Sequence, residues 1–590
     1  MLSRFDLYRS SETPIPWETW AWNLYGAGVE GIGRDRKPER FPVPEPTAGQ
    51  LLVRVDAVGL CFSDVKLIQQ GGRHPRLYNR DLAVQPTRPG HEVALTVLKV
   101  GTALRAQFYP GQRLALQPDI YRQGKSAAYG YTVPGGLTQF HLVGPEILHG
   151  NTGGYVLPVT GDLGYAEIAL TEPWACVEAA YTQRRRLAPK RGGMMWILGR
   201  PGDATDYQFS AGLEAPATIV TTDVPPTLLA RIKRAVTVRG VTLIARDGLQ
   251  PVGYAALRSE LTAGAGFDDI VLLDPRSAQA VGEAARLIAR RGTFNLVGRT
   301  PLDGDPLIDV GRIHYDYTAY LGHSGPDIAA AYGEMRNRCE LCPGGVALFV
   351  GAGGPMGQMH VQRAIKVSPG PALILATEIN DTRLGSLAAR FGPLARQHGK
   401  RLVTFNPSTD SGRRQPGATG SWRGFVMRHT AGRGADDVVV CVPSAEVIVE
   451  SAQTLSPNGM LVLFAGVPNG TTAPLDLSVV YLHNAQFTGT TGSTLADQRT
   501  VIRRALAGQL SPNASVAAVG GIEAAWDGIR AIIGGRYPGK VVIFPQISGL
   551  PLTGLPDLKT VAPAVAERLA PGDVWTREAE AALIESLWEP

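Results

Sequence analysis

An internal repeat in the second half of the chain limits most strongly what this sequence can fold into. The segment GFDDIVLLDPRSAQAV, which starts at Gly266, resembles GADDVVVCVPSAEVIV, which starts at Gly434. Further along the same register, Gly322 corresponds to Gly489. A register that is kept over about 60 residues predicts two copies of one domain, and the alternative is a chance likeness of two unrelated sheets.

The kind of domain follows from the pattern of apolar residues. From about residue 190 onward, apolar strands alternate with Ala- and Leu-rich helical segments, which predicts βαβ units and a parallel sheet in each copy. Residues 40–180 instead hold short apolar runs broken by Gly and Pro, which predicts a barrel-like unit of β-strands. With 590 residues the chain is also too long for a single core.

The two copies differ at the turn after their first strand. In the second copy the turn is Gly351-Ala352-Gly353-Gly354-Pro355-Met356-Gly357, which lets backbone approach a pyrophosphate at a helix N-terminus. The next strand leads to Glu378, whose carboxylate is expected to bind ribose hydroxyls and repel a 2′-phosphate, so NAD is favoured. A solvated strand end is the alternative for Glu378, and Arg383 is assigned to the same cofactor site. The first copy has Gly199-Arg200-Pro201-Gly202-Asp203 instead, which predicts no dinucleotide site.

Four residues of the β-rich part have side chains of the types that bind zinc in proteins. They are Cys61, His91, Glu92 and Glu172. A catalytic zinc needs about three protein ligands and one open position. We interpret Cys61, His91 and Glu172 as those three, with Glu92 as a fourth or alternating ligand. Taken singly, Cys61 could be a small core residue and His91 a turn histidine held by hydrogen bonds, but their order and context favour a metal site.

The motifs around these residues resemble the zinc-containing medium-chain dehydrogenase/reductase family, in particular its sorbitol, threonine and sugar-phosphate dehydrogenase branches. The resemblance covers about 20–180 and 340–546. The motifs are Cys-x-Ser-Asp after Ala-Val-Gly-Leu, Gly-His-Glu, Pro-Gly-Gln-Arg-Leu, Gly-Gly-Leu-Thr-Gln-Phe, Glu-Pro-x-Ala-Cys and Gly-Lys-Val-Val-Ile-Phe-Pro. The resemblance implies an α/β plus β fold, with a chaperonin-10-like catalytic barrel and two tandem Rossmann-like parallel-sheet domains.

The expected domain boundaries combine the repeat with this resemblance. The tail of the chain resembles that of sorbose-phosphate-reductase-like members of the family. The predicted domains are a catalytic barrel at 1–188 completed by about 500–546, a degenerate Rossmann-like domain at 189–338, an NAD-binding Rossmann domain at 339–499 and a C-terminal extension at 547–590.

The resemblance also implies a reaction. A zinc-dependent oxidoreductase would transfer hydride between NAD and a secondary alcohol of a polyol, sugar alcohol or sugar phosphate. In this scheme Ser63 accepts the alcohol proton and Asp64 orients His91. Lys66 stands where the family's relay histidine is usual, which leaves the proton exit route open. Residues 93–160 contain no cysteine, so one catalytic zinc and no structural zinc are expected.

Two other functions fit the same sequence. The chain could be a non-catalytic, NAD-responsive assembly protein whose repeat became an interaction surface, or a zinc-free quinone-type reductase of the same broad family. The aromatic-rich segments 313–322 and 480–489 are predicted to be strands that pair edge to edge within one chain, and further homo-oligomers stay possible.

Composition bears on partners and location. The net charge of +6 comes from interspersed residues, so no nucleic-acid partner is expected. The sequence contains no run of about 18 apolar residues, so no membrane span is expected. The five scattered cysteines and the absence of an apolar leader fit a cytoplasmic protein.

Overall fold

The computed structural model describes residues 3–150, 153–237, 240–409 and 422–590, and the chain divides into two compact units. Unit 1 comprises Met1–Glu178, Gly354–Gln362 and Gly492–Pro590, and unit 2 comprises Ala179–Gly353 and Arg363–Thr491. Among the described helices, none has the length and hydropathy that a membrane span requires.

The first part of the chain is rich in short strands, as its broken apolar runs predict. Its strands are β1 (Glu18–Ala21), β2 (Glu39–Pro42), β3 (Leu51–Leu60), β4 (Glu92–Val100), β5 (Arg113–Leu116), β6 (Tyr121–Arg122), β7 (Lys125–Ser126), β8 (Phe140–Val143) and β9 (Val156–Pro158). Its helices are α1 (Arg4–Arg9), α2 (Phe62–Gln70), α3 (Pro145–Leu148), α4 (Tyr165–Ala169) and α5 (Thr171–Ala179). β3 is buried along its whole length and pairs antiparallel with β4, so these two strands form the centre of the sheet.

The first repeat supplies half of the strands of unit 2. Its strands are β10 (Met194–Leu198), β11 (Thr218–Thr222), β12 (Thr242–Ala245), β13 (Phe267–Leu273), β14 (Ile288–Val297), β15 (Leu307–Asp309) and β16 (Ala319–His323). Its helices are α6 (Pro226–Thr237), α7 (Tyr254–Thr262), α8 (Ala278–Ala285) and α9 (Val310–Tyr315). The described residues between β10 and β11 form no helix, so the first strand of this copy is not followed by a helix N-terminus.

The second repeat follows the same order, with a helix after its first strand. Its strands are β17 (Val346–Val350), β18 (Leu373–Thr377), β19 (Arg401–Phe405), β20 (Ala435–Val440), β21 (Leu455–Leu463), β22 (Thr472–Pro474) and β23 (Gln486–Gly489). Its helices are α10 (Pro355–Lys366), α11 (Asp381–Gln397), α12 (Trp422–His429), α13 (Ala445–Ala452) and α14 (Ser478–Leu482).

The two repeats share one twelve-stranded sheet in the order β12-β11-β10-β13-β14-β16-β23-β21-β20-β17-β18-β19. Neighbouring strands within each half are parallel, and the halves meet where β16 pairs antiparallel with β23. In that pairing Tyr320 lies opposite Phe487, its own counterpart in the repeat register. Contact between equivalent positions is what a twofold axis produces, so the two copies meet as the subunits of a symmetric dimer would.

The segments that form this junction are only partly strands, and the prediction of strands at 313–322 and 480–489 was wrong for the first half of each. α9 covers Val310–Tyr315, and α14 covers Ser478–Leu482. The Asp309 side chain accepts a hydrogen bond from the Arg312 backbone N–H at 3.2 Å and so caps α9. The strand can begin only after that helical turn has ended.

The aspartate pairs shared by the repeats have a structural role in both copies. Arg186 donates to Asp269 at 3.0 Å in the first copy, and Arg338 donates to Asp437 in the second. The backbone N–H of Cys342 also donates to Asp437, at 2.7 Å. These carboxylates therefore anchor the segment that enters the first strand of each copy, and Cys342 belongs to that anchor.

The last part of the chain returns to unit 1. Its strands are β24 (Val516–Gly521), β25 (Lys540–Phe544) and β26 (Thr553–Gly554). Its helices are α15 (Leu495–Leu506), α16 (Ala525–Ile533), α17 (Leu558–Val561), α18 (Pro563–Ala566) and α19 (Arg577–Leu587). The eight-stranded sheet of unit 1 runs β26-β24-β25-β3-β4-β5-β9, with β8 also paired to β3, so residues far apart in sequence complete one sheet.

The C-terminal extension is fastened to this sheet and its helices. β26 pairs with β24, and the buried Glu580 carboxylate accepts hydrogen bonds from the backbone N–H groups of Tyr165 at 2.5 Å and Ala166 at 2.8 Å. Glu580 thus satisfies the first N–H groups of α4, which leads into α5. The extension is part of unit 1, and it supports the helix pair that carries Glu172.

Candidate active site

Three potential metal ligands lie together at one end of the unit 1 sheet. Among the described residues, ligand atoms of Cys61, His91 and Glu92 all lie within 4.8 Å of one another. Cys61 follows β3 as the N-cap of α2, while His91 and Glu92 stand where β4 begins. The antiparallel register places Gly59 opposite Glu92, and a Cβ on Gly59 would lie 2.1 Å from Glu92 Oε2. A glycine at this position therefore leaves room for the carboxylate.

Asp64 joins the cysteine and the histidine. Its Oδ1 lies 3.1 Å from His91 Nδ1, and its Oδ2 accepts a hydrogen bond from the Cys61 backbone N–H at 3.0 Å. Burial lowers the pKa of His91, but the Asp64 carboxylate raises it well above its usual value. A hydrogen bond at Nδ1 leaves Nε2 for a metal and fixes the ring, as the predicted role of Asp64 requires.

The structure adds Lys540, which sequence reasoning missed. Its buried ammonium donates to Glu92 Oε1 and, at 3.2 Å, to the Leu60 carbonyl oxygen. Burial raises the pKa of the Cys61 thiol, but the Lys540 charge and a hydrogen bond from His91 lower it to about 6. A lysine in the apolar strand KVVIF was the available signal, because such a residue requires a buried anion.

The environment of Glu92 indicates whether a metal ion fits beside Cys61, His91 and Glu92. Its Oε2 is buried and has no hydrogen-bond partner, although Oε1 is bound to Lys540. Burial raises the pKa of the Glu92 carboxyl to about 8, against the lowering effect of Lys540. An unpartnered buried carboxylate oxygen costs free energy, which a metal ion would offset. A thiolate, an imidazole and a carboxylate form a donor set typical of zinc.

Glu172, the predicted third ligand, lies near this group but is not part of it. It stands in the first turn of α5, and the Cys176 Sγ lies 3.7 Å from its Oε1. Burial raises the pKa of Glu172 to about 7, with His91 lowering it and Glu92 and Asp119 raising it further. Glu92 therefore makes the closer group with Cys61 and His91, and Glu172 is a buried carboxyl at its margin.

Ser63 and Lys66 both lie on α2, directly after Cys61. Ser63 is half-buried in the first turn, whereas Lys66 is exposed. The Lys66 Nζ lies 6.0 Å from the centroid of the Phe62 ring. The structure thus keeps Ser63 beside the ligand cysteine and places Lys66 at the solvent.

The predicted dinucleotide turn is closely built around Glu378. Gly351 has a φ of +73°, and a Cβ on Gly353 would lie 2.6 Å from Glu378 Oε2 and 2.9 Å from the Cβ of Arg383. Glu378 is buried, and its Oε1 accepts hydrogen bonds from the N–H groups of Ile379 and Asn380. Gly354 precedes α10, which begins at Pro355 and includes Met356 and Gly357.

The matching turn of the first repeat is arranged differently. A Cβ on Gly199 would lie 2.3 Å from the carbonyl oxygen of Asp223. Arg200 forms an ion pair with Asp274 at 2.5 Å, and Arg276 binds the same carboxylate at 2.9 Å. Because these charges are already paired and the described residues between β10 and β11 form no helix, this turn is a poor phosphate site.

A family model and several relatives match parts of this chain. Residues 47–179 match the family model described as "Alcohol dehydrogenase GroES-like domain". L-sorbose 1-phosphate reductase of Klebsiella pneumoniae is 30% identical over 342 residues, which are 54% of this chain and 79% of that protein. The chain belongs to the medium-chain dehydrogenase/reductase family. The GroES-like match confirms the predicted chaperonin-10-like barrel of this family member.

Two further relatives extend the likeness. Uncharacterized protein YggP of Escherichia coli (strain K12) is 31% identical over 313 residues, covering 50% of this chain and 72% of that protein. Mannitol-1-phosphate 5-dehydrogenase of Aliivibrio fischeri is 28% identical over 328 residues, covering 52% and 75%. Each relative therefore matches about half of this dehydrogenase-family chain.

Proposed function

We propose that the protein is a zinc-dependent oxidoreductase that transfers hydride between NAD and a secondary alcohol of a polyol or sugar-derived substrate. The observation that carries this proposal is the group of Cys61, His91 and Glu92, in which the buried Glu92 has an unpartnered carboxylate oxygen. The names of the relatives, which include a sugar-phosphate reductase and a polyol-phosphate dehydrogenase, support the substrate class.

Cys61, His91 and Glu92 would hold the zinc, and Glu172 would serve as an alternating ligand or as a partner of a bound water or hydroxyl. Bound zinc supplies Lewis acidity, which lowers the pKa of a substrate hydroxyl. Asp64 keeps the His91 ring oriented through Nδ1, and the Lys540 ammonium favours the Cys61 thiolate. The Ser63 Oγ, beside Cys61 on α2, would accept the proton of the substrate hydroxyl and pass its own proton outward to water.

NAD is the proposed hydride acceptor, with its pyrophosphate at the turn Gly351–Gly357 and its ribose at Glu378. Support comes from the close approach of Gly353 to Glu378, since any side chain at that glycine would fill the space. The experiment is zinc analysis of the purified protein, together with oxidation of a panel of polyols and polyol phosphates with NAD. About one zinc per chain and NADH formation would support the proposal, whereas a metal-free active enzyme would contradict it.

Replacing Glu378 with serine is expected to weaken NAD use and to improve the relative use of NADP. The carboxylate that repels a 2′-phosphate would be gone, while Arg383 stays nearby to attract that phosphate. The ratio of kcat/KM for NAD to that for NADP should fall about tenfold or more. Asp381→Ser, which removes a carboxylate from the first turn of α11, is the control, and a wild-type preference for NADP would contradict the assignment.

Titration is expected to give one dinucleotide per chain. The second glycine turn precedes α10, whereas the first is followed by no helix among its described residues and has Arg200 paired with Asp274. Calorimetric titration with NADH measures the stoichiometry directly. Gly353→Val should abolish this binding and Gly202→Ala should leave it unchanged, and two equivalent sites in the wild type would overturn the expectation.

A further inference from the structure

The segment that joins α2 to β4 is strongly basic. It contains four cationic residues and a single acidic residue, Asp81. The cationic residues are Arg73, Arg76, Arg80 and Arg88, and a fifth cation, Lys66, lies on α2 just before them. Since the flanking residues Cys61 and His91 belong to the metal group, this excess of positive charge lies on the loop that connects two metal ligands.

Arg76 approaches the metal group from two directions. Its Cζ lies 5.0 Å from the centroid of the Tyr131 ring, and that ring lies 5.9 Å from the ring of His91. Its Nη2 lies 2.8 Å from Asp119 Oδ1, and the Asp119 charge acts on Glu172. The guanidinium is therefore separated from His91 by one aromatic ring, and it is paired with a carboxylate whose charge acts on Glu172.

The arrangement leaves cationic donors for a further ligand. The Arg76 side chain is 35% exposed, and Asp119 engages one nitrogen of a guanidinium that has five N–H donors. His74 accepts a hydrogen bond from the Arg76 backbone N–H through Nδ1 at 3.2 Å, so its Nε2 carries the proton and is a donor. Burial and then the charges of Arg76 and Lys66 lower the pKa of His74 to about 4, which shows that both cations act on this ring.

We propose that Arg76, His74 and Lys66 form an anion site beside the metal group, which binds the phosphate of a phosphorylated polyol and selects it over the free polyol. The inference rests on the proposed function and specifies its substrate. Arg76 supplies planar, charge-assisted donors that match a phosphate, His74 adds a neutral N–H, and Lys66 adds a mobile charge at the solvent side. A lysine at 66 would then serve substrate binding in place of a proton relay, because an ammonium group has no acceptor.

The test compares matched substrate pairs, mannitol with mannitol 1-phosphate and sorbitol with sorbitol 6-phosphate, in the zinc-loaded protein. We expect the wild type to prefer the phosphate, and Arg76→Gln to raise the KM for the phosphate about tenfold or more. Lys66→Met should raise it by a smaller factor, and Arg76→Lys should restore part of the loss. The KM for the free polyol should change less than twofold in every variant. Arg105→Gln, which removes an exposed cation elsewhere in unit 1, is the matched control.

Calorimetric binding of each phosphate and its free polyol provides a readout that does not need turnover. Tighter binding of the phosphate that is lost in Arg76→Gln supports the anion site even if neither compound is oxidised, a result that would overturn the proposed function alone. Equal binding and equal kcat/KM for both members of a pair would overturn the anion site alone. A raised KM for NAD in the Arg76 and Lys66 variants, with polyol-phosphate kinetics unchanged, would also overturn it and assign the cations to the phosphates of the cofactor.

Discussion

Replacing Cys61 with alanine is expected to reduce bound zinc from about one ion per chain to less than about a tenth, and to lower turnover about a thousandfold or more. Lys540 and His91 lower the pKa of this thiol to about 6, so it would supply a thiolate to a metal at neutral pH. The other two members of the group, His91 and Glu92, cannot replace that ligand. Metal analysis and polyol oxidation measure the two losses.

The fold should survive this substitution, because Cys61 is small and only half-buried. Circular dichroism and the thermal unfolding midpoint of the metal-free variant check this point. Cys342→Ala is the matched control, since burial raises the pKa of that thiol and its backbone N–H only anchors the second repeat. Two tightly held zinc ions in the wild type, or full zinc content in Cys61→Ala, would contradict the assignment.

The repeated domain was predictable because its pattern is local and occurs twice. Equivalent residues of the two copies, such as Tyr320 and Phe487, lie opposite each other in one sheet. The helical turns of α9 and α14 were not predicted, because a buried helical turn inside an aromatic-rich segment resembles a strand over so few positions. The sequence signal for a helix at α9 is its N-cap residue, Asp309. This signal was missed because it consists of a single residue.

The candidate site was predictable to the extent that its residues follow one another in short motifs. Cys61, His91 and Glu92 were all identified, but Glu92 was ranked below Glu172 as a ligand. Successive residues of a strand point to opposite faces, so two adjacent residues such as His91 and Glu92 are not expected to bind one metal from within a regular strand. The structure departs from that rule because Glu92 is the first residue of β4 and lies opposite Gly59, whose missing side chain leaves space for the carboxylate.

A lysine in the apolar strand KVVIF indicates a buried anion, but the anion that Lys540 binds could not be identified from local sequence. Lys540 reaches the site only because β25 pairs with β3. This pairing brings Val541 opposite Leu60, although most of the chain lies between them in sequence. A pairing between such distant strands has no local signal in one sequence. The same limit applies to Tyr131, whose ring lies 5.9 Å from that of His91.

Replacing Lys540 with methionine is expected to destabilise unit 1 by about 3–5 kcal/mol, because it leaves the Glu92 carboxylate buried without its cation. The side chain of Lys540 is 3% exposed and that of Glu92 is fully buried, so water cannot replace the lost partner. For a unit of this size, the loss corresponds to a fall of about 6–10 °C in the thermal unfolding midpoint of the metal-free protein. Differential scanning calorimetry measures this shift.

The same substitution should move the pH dependence of metal binding upward. The Cys61 pKa is lowered from its usual 9.0 to about 6, and Lys540 is the main cause of that lowering. A thiol with a lowered pKa in the folded protein contributes stability that is present above pH 9 and is lost as the pH falls through about 6. In Lys540→Met this loss should begin at a higher pH, so the thiolate charge-transfer absorbance of Co²⁺ should titrate at higher pH than in the wild type.

Two companion variants separate charge from packing. Lys540→Arg keeps the cation, so it should retain most of the stability and most of the pH profile. The double variant Glu92→Gln/Lys540→Met removes both charges, so it should recover much of the thermal stability while still failing to bind metal, because the Glu92 carboxylate is gone. If Lys540→Met unfolds at the wild-type temperature and its Co²⁺ titration is unchanged, the ion pair does not maintain the ligand group, and the lowered pKa of Cys61 must then arise from His91 alone.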